Sequence, residues 1–168
     1  AQQIFQLKMN LPEDPEIKEI VDQAKTRISK SKEKVDYVKR ALMSQVNHNF
    51  VSYASCRSCH KEEYDKWRST RHYLAANPLI KDQKLNDHSC LPCHTTGYRE
   101  RGFVDIRVTP RMLHVQCEAC HGEGGPHSKN PQKVKLGESS PETTCIICHD
   151  KANSPNFDYE TYWERIKH

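Results

Sequence analysis

Four copies of one short motif constrain this chain more than any other feature. Each copy reads Cys-x-x-Cys with a His directly after the second Cys. All eight cysteines of the 168 residues belong to these copies, so the sequence offers no disulfide framework and no spare thiol. The four copies are Cys56-Cys59-His60, Cys90-Cys93-His94, Cys117-Cys120-His121 and Cys145-Cys148-His149.

Each motif carries the groups that covalent haem attachment requires. The two thiols form thioethers with the haem vinyl groups, and the adjacent imidazole becomes the proximal ligand of the iron. Zinc sites also use Cys-x-x-Cys pairs, but a Cys₄ site has no use for a His after every second Cys. The same argument excludes a redox pair of the thioredoxin type. The sequence therefore predicts four haem c groups with iron.

The composition indicates that these cofactors also form the core. Hydrophobic residues make up 35% of the chain and its mean hydropathy is −0.90, which is a poor supply of apolar side chains. About 42 residues are available for each haem, too few to bury four cofactors separately. We expect the haems to pack against one another.

Charge and hydropathy exclude two classes of partner and suggest a location. The formal charge of +4 does not predict nucleic-acid binding, because the propionates of four haems would offset or reverse it. No apolar run reaches about 18 residues, so no transmembrane segment is predicted. Haem c is attached outside the cytoplasm, so we expect an exported protein, periplasmic or extracellular. The start at Ala1 fits signal removal or excision from a longer parent.

The chain divides into residues 1–49 and 50–168. The first part alternates apolar and polar residues from Phe5 to Leu11, as in a short strand, and then predicts a helix from Pro15 to about Val46 with Asp14 as its cap. That helix is either an amphipathic helix on its own domain or a coiled-coil seam for a homo-oligomer. The second part predicts short helices, giving a mainly α fold. The apolar residues of the heptad are Ile17, Val21, Ala24, Ile28, Val35, Val38 and Leu42.

Six further histidines are candidates for the distal side of the irons. A second imidazole closes the coordination sphere and suits electron transfer, whereas a missing one leaves an iron that binds small molecules. His88 and His114 lie just before the second and third motifs, where they could ligate iron or bind a propionate. The six are His48, His72, His88, His114, His127 and His168.

The stretch from Phe50 onward resembles the cytochrome c554 family of multihaem cytochromes. The matching features are Tyr64, Trp67 and His72 after the first motif, and Gly125-Pro126-His127 after the third. The resemblance covers residues 50–168. It departs at Ser52-Tyr53, where the family usually has Gly-Ser.

The resemblance implies a helical fold with haems in stacked pairs. It implies that His72 is the distal ligand of the third haem, His127 that of the fourth, and His168 that of the first. His48, His88 and His114 remain alternatives for the second haem, which the family's type member leaves five-coordinate. The N-terminal region is similar to the junction in exported proteins in which a phosphoesterase of the 5′-nucleotidase type precedes a haem domain.

The leading functional prediction is an electron carrier that exchanges electrons with redox proteins and is not an enzyme. The first alternative is a small enzyme that reduces or oxidises nitrogen oxides or hydroxylamine at a five-coordinate haem, with His88, His114, Arg107 or Arg111 as hydrogen-bond donors. The second alternative is a subunit of a haem-wire assembly.

Overall fold

A computed structural model describes residues 14–30, 35–137 and 140–168. The chain is mainly α-helical there, as predicted. The strand predicted from Phe5 to Leu11 lies outside the described residues.

The N-terminal region contains α1 (Pro15–Lys30) and α2 (Val35–Met43). Helix α1 begins as predicted, since Oδ1 of Asp14 accepts hydrogen bonds from the amides of Glu16 at 2.9 Å and Ile17 at 3.2 Å. Helix α2 ends before the predicted Val46. The chain turns there because the amide of Asn47 donates to the carbonyl of Arg101 over 2.9 Å.

The apolar face of α1 is largely open to solvent. Ile17 is 59% exposed and Val21 is 42% exposed. The helix does contact the rest of the chain at Lys25, whose Nζ lies 2.8 Å from Oδ2 of Asp87, three residues before the second motif. This contact is polar, so it leaves the predicted apolar seam uncovered.

Short helices make up the remainder of the chain. Several of them have a proline in the first turn. Proline is tolerated there because the first amides of a helix have no hydrogen-bond acceptor within the helix. They are α3 (Tyr53–Cys56), α4 (Lys61–Arg68), α5 (Asn77–Lys81), α6 (Leu91–His94), α7 (Cys117–His121), α8 (Gly125–Lys129), α9 (Pro141–Cys145) and α10 (Tyr159–Ile166), with 3₁₀ helices at Arg71–Leu74 and Pro110–Met112.

The apolar core of the described residues is small and surrounds the second motif. Its buried members come from the segments before and after that motif and from Leu91 inside it, and Cys90 itself packs against them. The buried residues are Phe50, Leu79, Leu91, Phe103 and Met112, with Leu85, Cys90, Tyr98, Ile106 and Leu113 packed against them.

The polypeptide exposes much more surface than a compact protein of its mass. Its accessible surface is 12989 Å² for 19.5 kDa. A folded monomer of this mass exposes roughly 8,500 Å². The exposed apolar face of α1 contributes to this surface, and the buried core of the described residues is small.

The segment that leaves the second motif is fixed against residues 112–114. The amide of Thr96 donates to the carbonyl of Met112 over 2.9 Å, and the amide of His114 donates to the carbonyl of His94 over 3.1 Å. Gly97 continues this segment with φ of +67°, and a Cβ there would lie 2.6 Å from the Phe50 ring. Only glycine fits this turn without displacing the core.

Candidate haem-binding sites

One turn of helix forms each Cys-x-x-Cys-His motif. The amide of His60 donates to the carbonyl of Cys56, and that of His149 to Cys145, both over 2.9 Å. Because residues four apart share a face of a helix, the first thiol and the imidazole of each motif point the same way. This is the arrangement that lets one macrocycle bond to the cysteines while its iron meets the histidine.

Three distal candidates lie next to motif histidines, with their rings tilted by 36–62° relative to one another. The ring centroids of His127 and His60 are 6.2 Å apart, those of His168 and His121 5.9 Å, and those of His72 and His149 6.1 Å. The three pairs thus join the first, third and fourth motifs each to one further histidine.

These centroid distances can be compared with the distance expected for two imidazoles that bind one iron from opposite sides. An imidazole nitrogen bonds a metal at about 2 Å and lies about 1.1 Å from its ring centre, so two axial rings have centroids about 6.2 Å apart. All three observed separations agree with this value to within a few tenths of an ångström. In the separation of their ring centroids, the three pairs therefore match the spacing that an iron between two imidazoles requires.

The order of the pairs differs from the one implied by the resemblance. His72 faces the fourth motif instead of the third, His127 faces the first instead of the fourth, and His168 faces the third instead of the first. Long-range hydrogen bonds cause the difference at His127. The buried carboxylate of Glu118 and the carbonyl of Asn49 together hold the start of α8 against the segment before the first motif.

The imidazole rings are oriented by hydrogen bonds at Nδ1. His94 donates from Nδ1 to the carbonyl of Ala75, and His127 donates to that of Val134 over 2.7 Å. Nδ1 of His149 lies 3.1 Å from Oγ of Ser154 and that of His168 2.9 Å from the carbonyl of Ile166. A proton held at Nδ1 leaves the Nε2 lone pair for a metal.

Burial keeps several of these rings in the neutral form that ligates metals. It lowers the pKa of His72, which His149 lowers further, and it lowers the pKa of His149 itself. The pKa of His121 is lowered by burial and then by His168 and His60. The influence of His60 on His121 places the first and third motifs close together.

The pKa shifts of the cysteines also indicate which motifs lie close together. A hydrogen bond between Cys56 and Cys117 is the largest cause that raises the pKa of Cys56. Burial, followed by the nearby Cys93, raises the pKa of Cys148 to about 12. The attachment points of the first and third motifs are therefore adjacent, and so are those of the second and fourth.

The other three candidates do not pair with a motif histidine. His48 is exposed, and Nδ1 of His88 is hydrogen-bonded to the hydroxyl of Tyr98. Nδ1 of His114 accepts a hydrogen bond from the amide of Ala76 over 3.1 Å, which places its proton on Nε2. In this arrangement neither nitrogen of His114 offers a lone pair to an iron, and the distal role of His114 stays a prediction from the sequence.

His94 consequently differs from the other three motif histidines. In the ranges 14–30, 35–137 and 140–168, no histidine ring makes a ring contact with it. Of the two arginines predicted as donors near an open haem, Arg107 is held by both carboxylate oxygens of Asp105 at 2.8 Å, and Arg111 is exposed.

Glu118 is the residue that the sequence reasoning missed. It is 4% exposed and its carboxylate accepts from the amides of Val51, Ser52 and Gly124. Its neighbour Gln116 accepts from the amide of Tyr53 over 2.9 Å. The only signal of this role in the sequence was the position of Glu118 inside the third motif, where no positively charged residue is adjacent to its carboxylate.

Comparison with known proteins finds similarity in the central part of the chain. The family model described as "Cytochrome c554 and c-prime" matches residues 55–122. Cytochrome c-554 of Nitrosomonas europaea is 28% identical over 134 residues, covering 60% of this chain and 57% of the relative. Multiheme cytochrome MtrA of Shewanella baltica is 33% identical over 76 residues, covering 36% of this chain and 22% of the relative.

The chain thus spans less than two thirds of either relative. No solved structure matches it significantly. No helix among the described residues is long and apolar enough to cross a membrane. The matches confirm the resemblance to the cytochrome c554 family that the motifs indicated.

Proposed function

Starting from the similarity of this chain to the multihaem cytochromes of the cytochrome c554 family, we propose that it binds four haem c groups and carries electrons between exported redox proteins. The observation that carries this proposal is the set of three histidine pairs with centroids 5.9–6.2 Å apart. Bound haem would supply reversible one-electron chemistry at its iron.

The cysteine pairs and histidines have distinct roles in this proposal. The eight cysteines would attach the four groups. His60 with His127, His121 with His168, and His149 with His72 would each hold one iron from both sides. Two axial imidazoles occupy every free coordination position, which favours electron transfer over ligand binding.

The packing of the chain supports a connected path. The hydrogen bond between Cys56 and Cys117 relates the first and third sites, and the influence of Cys93 on Cys148 relates the second and fourth. Cys120 and Cys145 also lie within electrostatic reach of each other, which relates the third and fourth sites. Every site therefore has a neighbour through its own attachment residues.

The haem count is tested by intact mass after expression with haem-attachment machinery in an exported form. We expect a mass increase of four haem groups, and of three in a Cys145→Ala, Cys148→Ala double variant. An increase of three or fewer in the wild-type chain would contradict the proposal.

The pairing is tested by single substitutions to glycine. Each of His72→Gly, His127→Gly and His168→Gly should convert one ferric haem from low-spin to high-spin in the electron paramagnetic resonance spectrum. The matched control is His48→Gly, because His48 is exposed and pairs with no motif histidine. A low-spin spectrum that survives any of the first three substitutions would refute that pair.

A second candidate function follows from His94. Since no described histidine ring faces it, the second iron would keep an open position, at which nitric oxide, nitrite or hydroxylamine could bind. Reduced protein mixed with each compound should then be reoxidised at the second haem if the chain is an enzyme. Gas binding without turnover would leave electron transfer as the function.

The exposed apolar face of α1 supports a further possibility, an assembly subunit built as a homo-oligomer. Ile17 and Val21 would form its seam. A mass by light scattering that falls with dilution would support it, and a monomer at every concentration would exclude it. The alternative role predicted from the sequence for residues 1–49 is that of a linker to a larger exported protein.

A further inference from the structure

A single peptide group connects His94 to a second histidine. Its carbonyl, on Ala75, accepts a hydrogen bond from Nδ1 of His94. Its amide, on Ala76, donates to Nδ1 of His114 over 3.1 Å. His94, this peptide and His114 thus form one continuous hydrogen-bonded chain.

The backbone at His114 is held in an uncommon conformation. Its φ is +72°, in the left-handed region that favours glycine. The conformation is maintained by neighbours: the hydroxyl of Thr96 donates to the carbonyl of His114 over 2.8 Å, and the amide of His114 donates to the carbonyl of His94. Glycine would suit this backbone better, but glycine cannot supply the acceptor that Ala76 uses.

The direction of the hydrogen bonds gives His114 an influence on His94. An amide whose N–H is hydrogen-bonded becomes a better acceptor at its carbonyl, because bonds in a chain polarise one another. A stronger bond at Nδ1 of a metal-bound histidine fixes the ring and raises the basicity of Nε2. A more basic ligand stabilises ferric over ferrous iron.

We propose that His114 is a positioning residue for the second haem site, acting through the Ala75–Ala76 peptide to orient His94 and to lower the reduction potential of the iron that His94 ligates. The inference rests on the proposed function, in which His94 is the proximal ligand of that iron. It replaces the distal role predicted for His114 with a role on the proximal side.

Two substitutions distinguish the effect of the lost hydrogen-bond acceptor from the effect of the backbone conformation at His114. His114→Gly removes the acceptor and relaxes the left-handed backbone, so any effect on His94 comes from the lost hydrogen bond. His114→Asn keeps an acceptor atom near the position of Nδ1 and tolerates the same backbone. Both variants are compared with the wild type as haem-loaded protein.

The readouts are the iron–histidine stretching band in the resonance Raman spectrum of the reduced protein and the reduction potentials from a spectroelectrochemical titration. We expect His114→Gly to move the band to lower frequency and one potential to a higher value. His114→Asn should leave both near the wild-type values. Unchanged values in His114→Gly, or equal shifts in both variants, would overturn the inference.

Failure of the underlying proposal gives a different result. If the wild-type protein shows no iron–histidine band, the second iron is six-coordinate and its proposed open position is wrong. The potentials then decide the inference on their own: a raised potential in His114→Gly alone supports it, and an unchanged set of four overturns it.

Discussion

Replacing Glu118 by alanine should loosen the connection between the first and third haem sites. Its carboxylate, which is 4% exposed, accepts from the amides of Val51 at 2.9 Å, Ser52 at 2.8 Å and Gly124 at 2.8 Å. Val51 and Ser52 lead into the first motif, Glu118 lies inside the third, and Gly124 precedes α8. One side chain therefore holds three segments together.

The size of the effect follows from these contacts. A hydrogen bond to a charged group contributes about 1.5–3 kcal/mol, and buried amides left without an acceptor lose it fully. Water will reach some of the three amides, and neighbouring bonds are not additive. We therefore expect Glu118→Ala to lower the free energy of unfolding by about 3–5 kcal/mol. Glu118→Gln keeps one oxygen and should lose about 1–3 kcal/mol.

The assay is guanidinium denaturation of the oxidised, haem-loaded protein, followed by far-ultraviolet circular dichroism. The control is Glu100→Ala, because Glu100 is exposed and such changes usually stay within about 0.5 kcal/mol. A free energy for Glu118→Ala within 1 kcal/mol of the wild type would refute the reasoning.

Two further predictions concern the backbone at Ser52 and the contact of α1. Ser52 has φ of 71° and ψ of 159°, so Ser52→Gly should be more stable than Ser52→Ala by about 1–2 kcal/mol in the same denaturation assay, and the reverse order would be inconsistent with strain. The hydrogen bond from Lys25 holds the pKa of Asp87 below its usual range, so the charged pair persists at neutral pH and is lost on acidification. Lys25→Ala should therefore move the acid-unfolding midpoint to higher pH, and an unmoved midpoint would argue against the contact.

The local geometry of the candidate sites could be predicted from the sequence because it depends on local spacing. The motifs need only one helical turn, and the helix start at Pro15 needs only the neighbouring Asp14. His72, His127 and His168 were also identified as candidates, from the residues around each of them.

The pairing of these histidines could not be predicted because it depends on contacts between distant segments. Glu118 meets Val51 across 67 positions of sequence, and this contact brings His127 to His60. The structure does not explain the serine at position 52, where the sequence departs from the family. Its φ and ψ fall in a region typical of glycine, the residue that the family usually has there.

The position of the His114 ring could not be predicted for a similar reason. Its closeness to the third motif suggested a ligand, but its imidazole is turned towards the Ala76 amide by a left-handed backbone. Neither the conformation nor the peptide between the two histidines has a signature in the sequence.

The central claim is that three irons are held by histidine pairs and that the iron of His94 is open. Electron paramagnetic resonance of the ferric protein, followed by carbon monoxide addition to the reduced form, tests it most directly. The account predicts three low-spin haems and one high-spin haem, with carbon monoxide bound at one site. Four low-spin haems that are inert to carbon monoxide would contradict it.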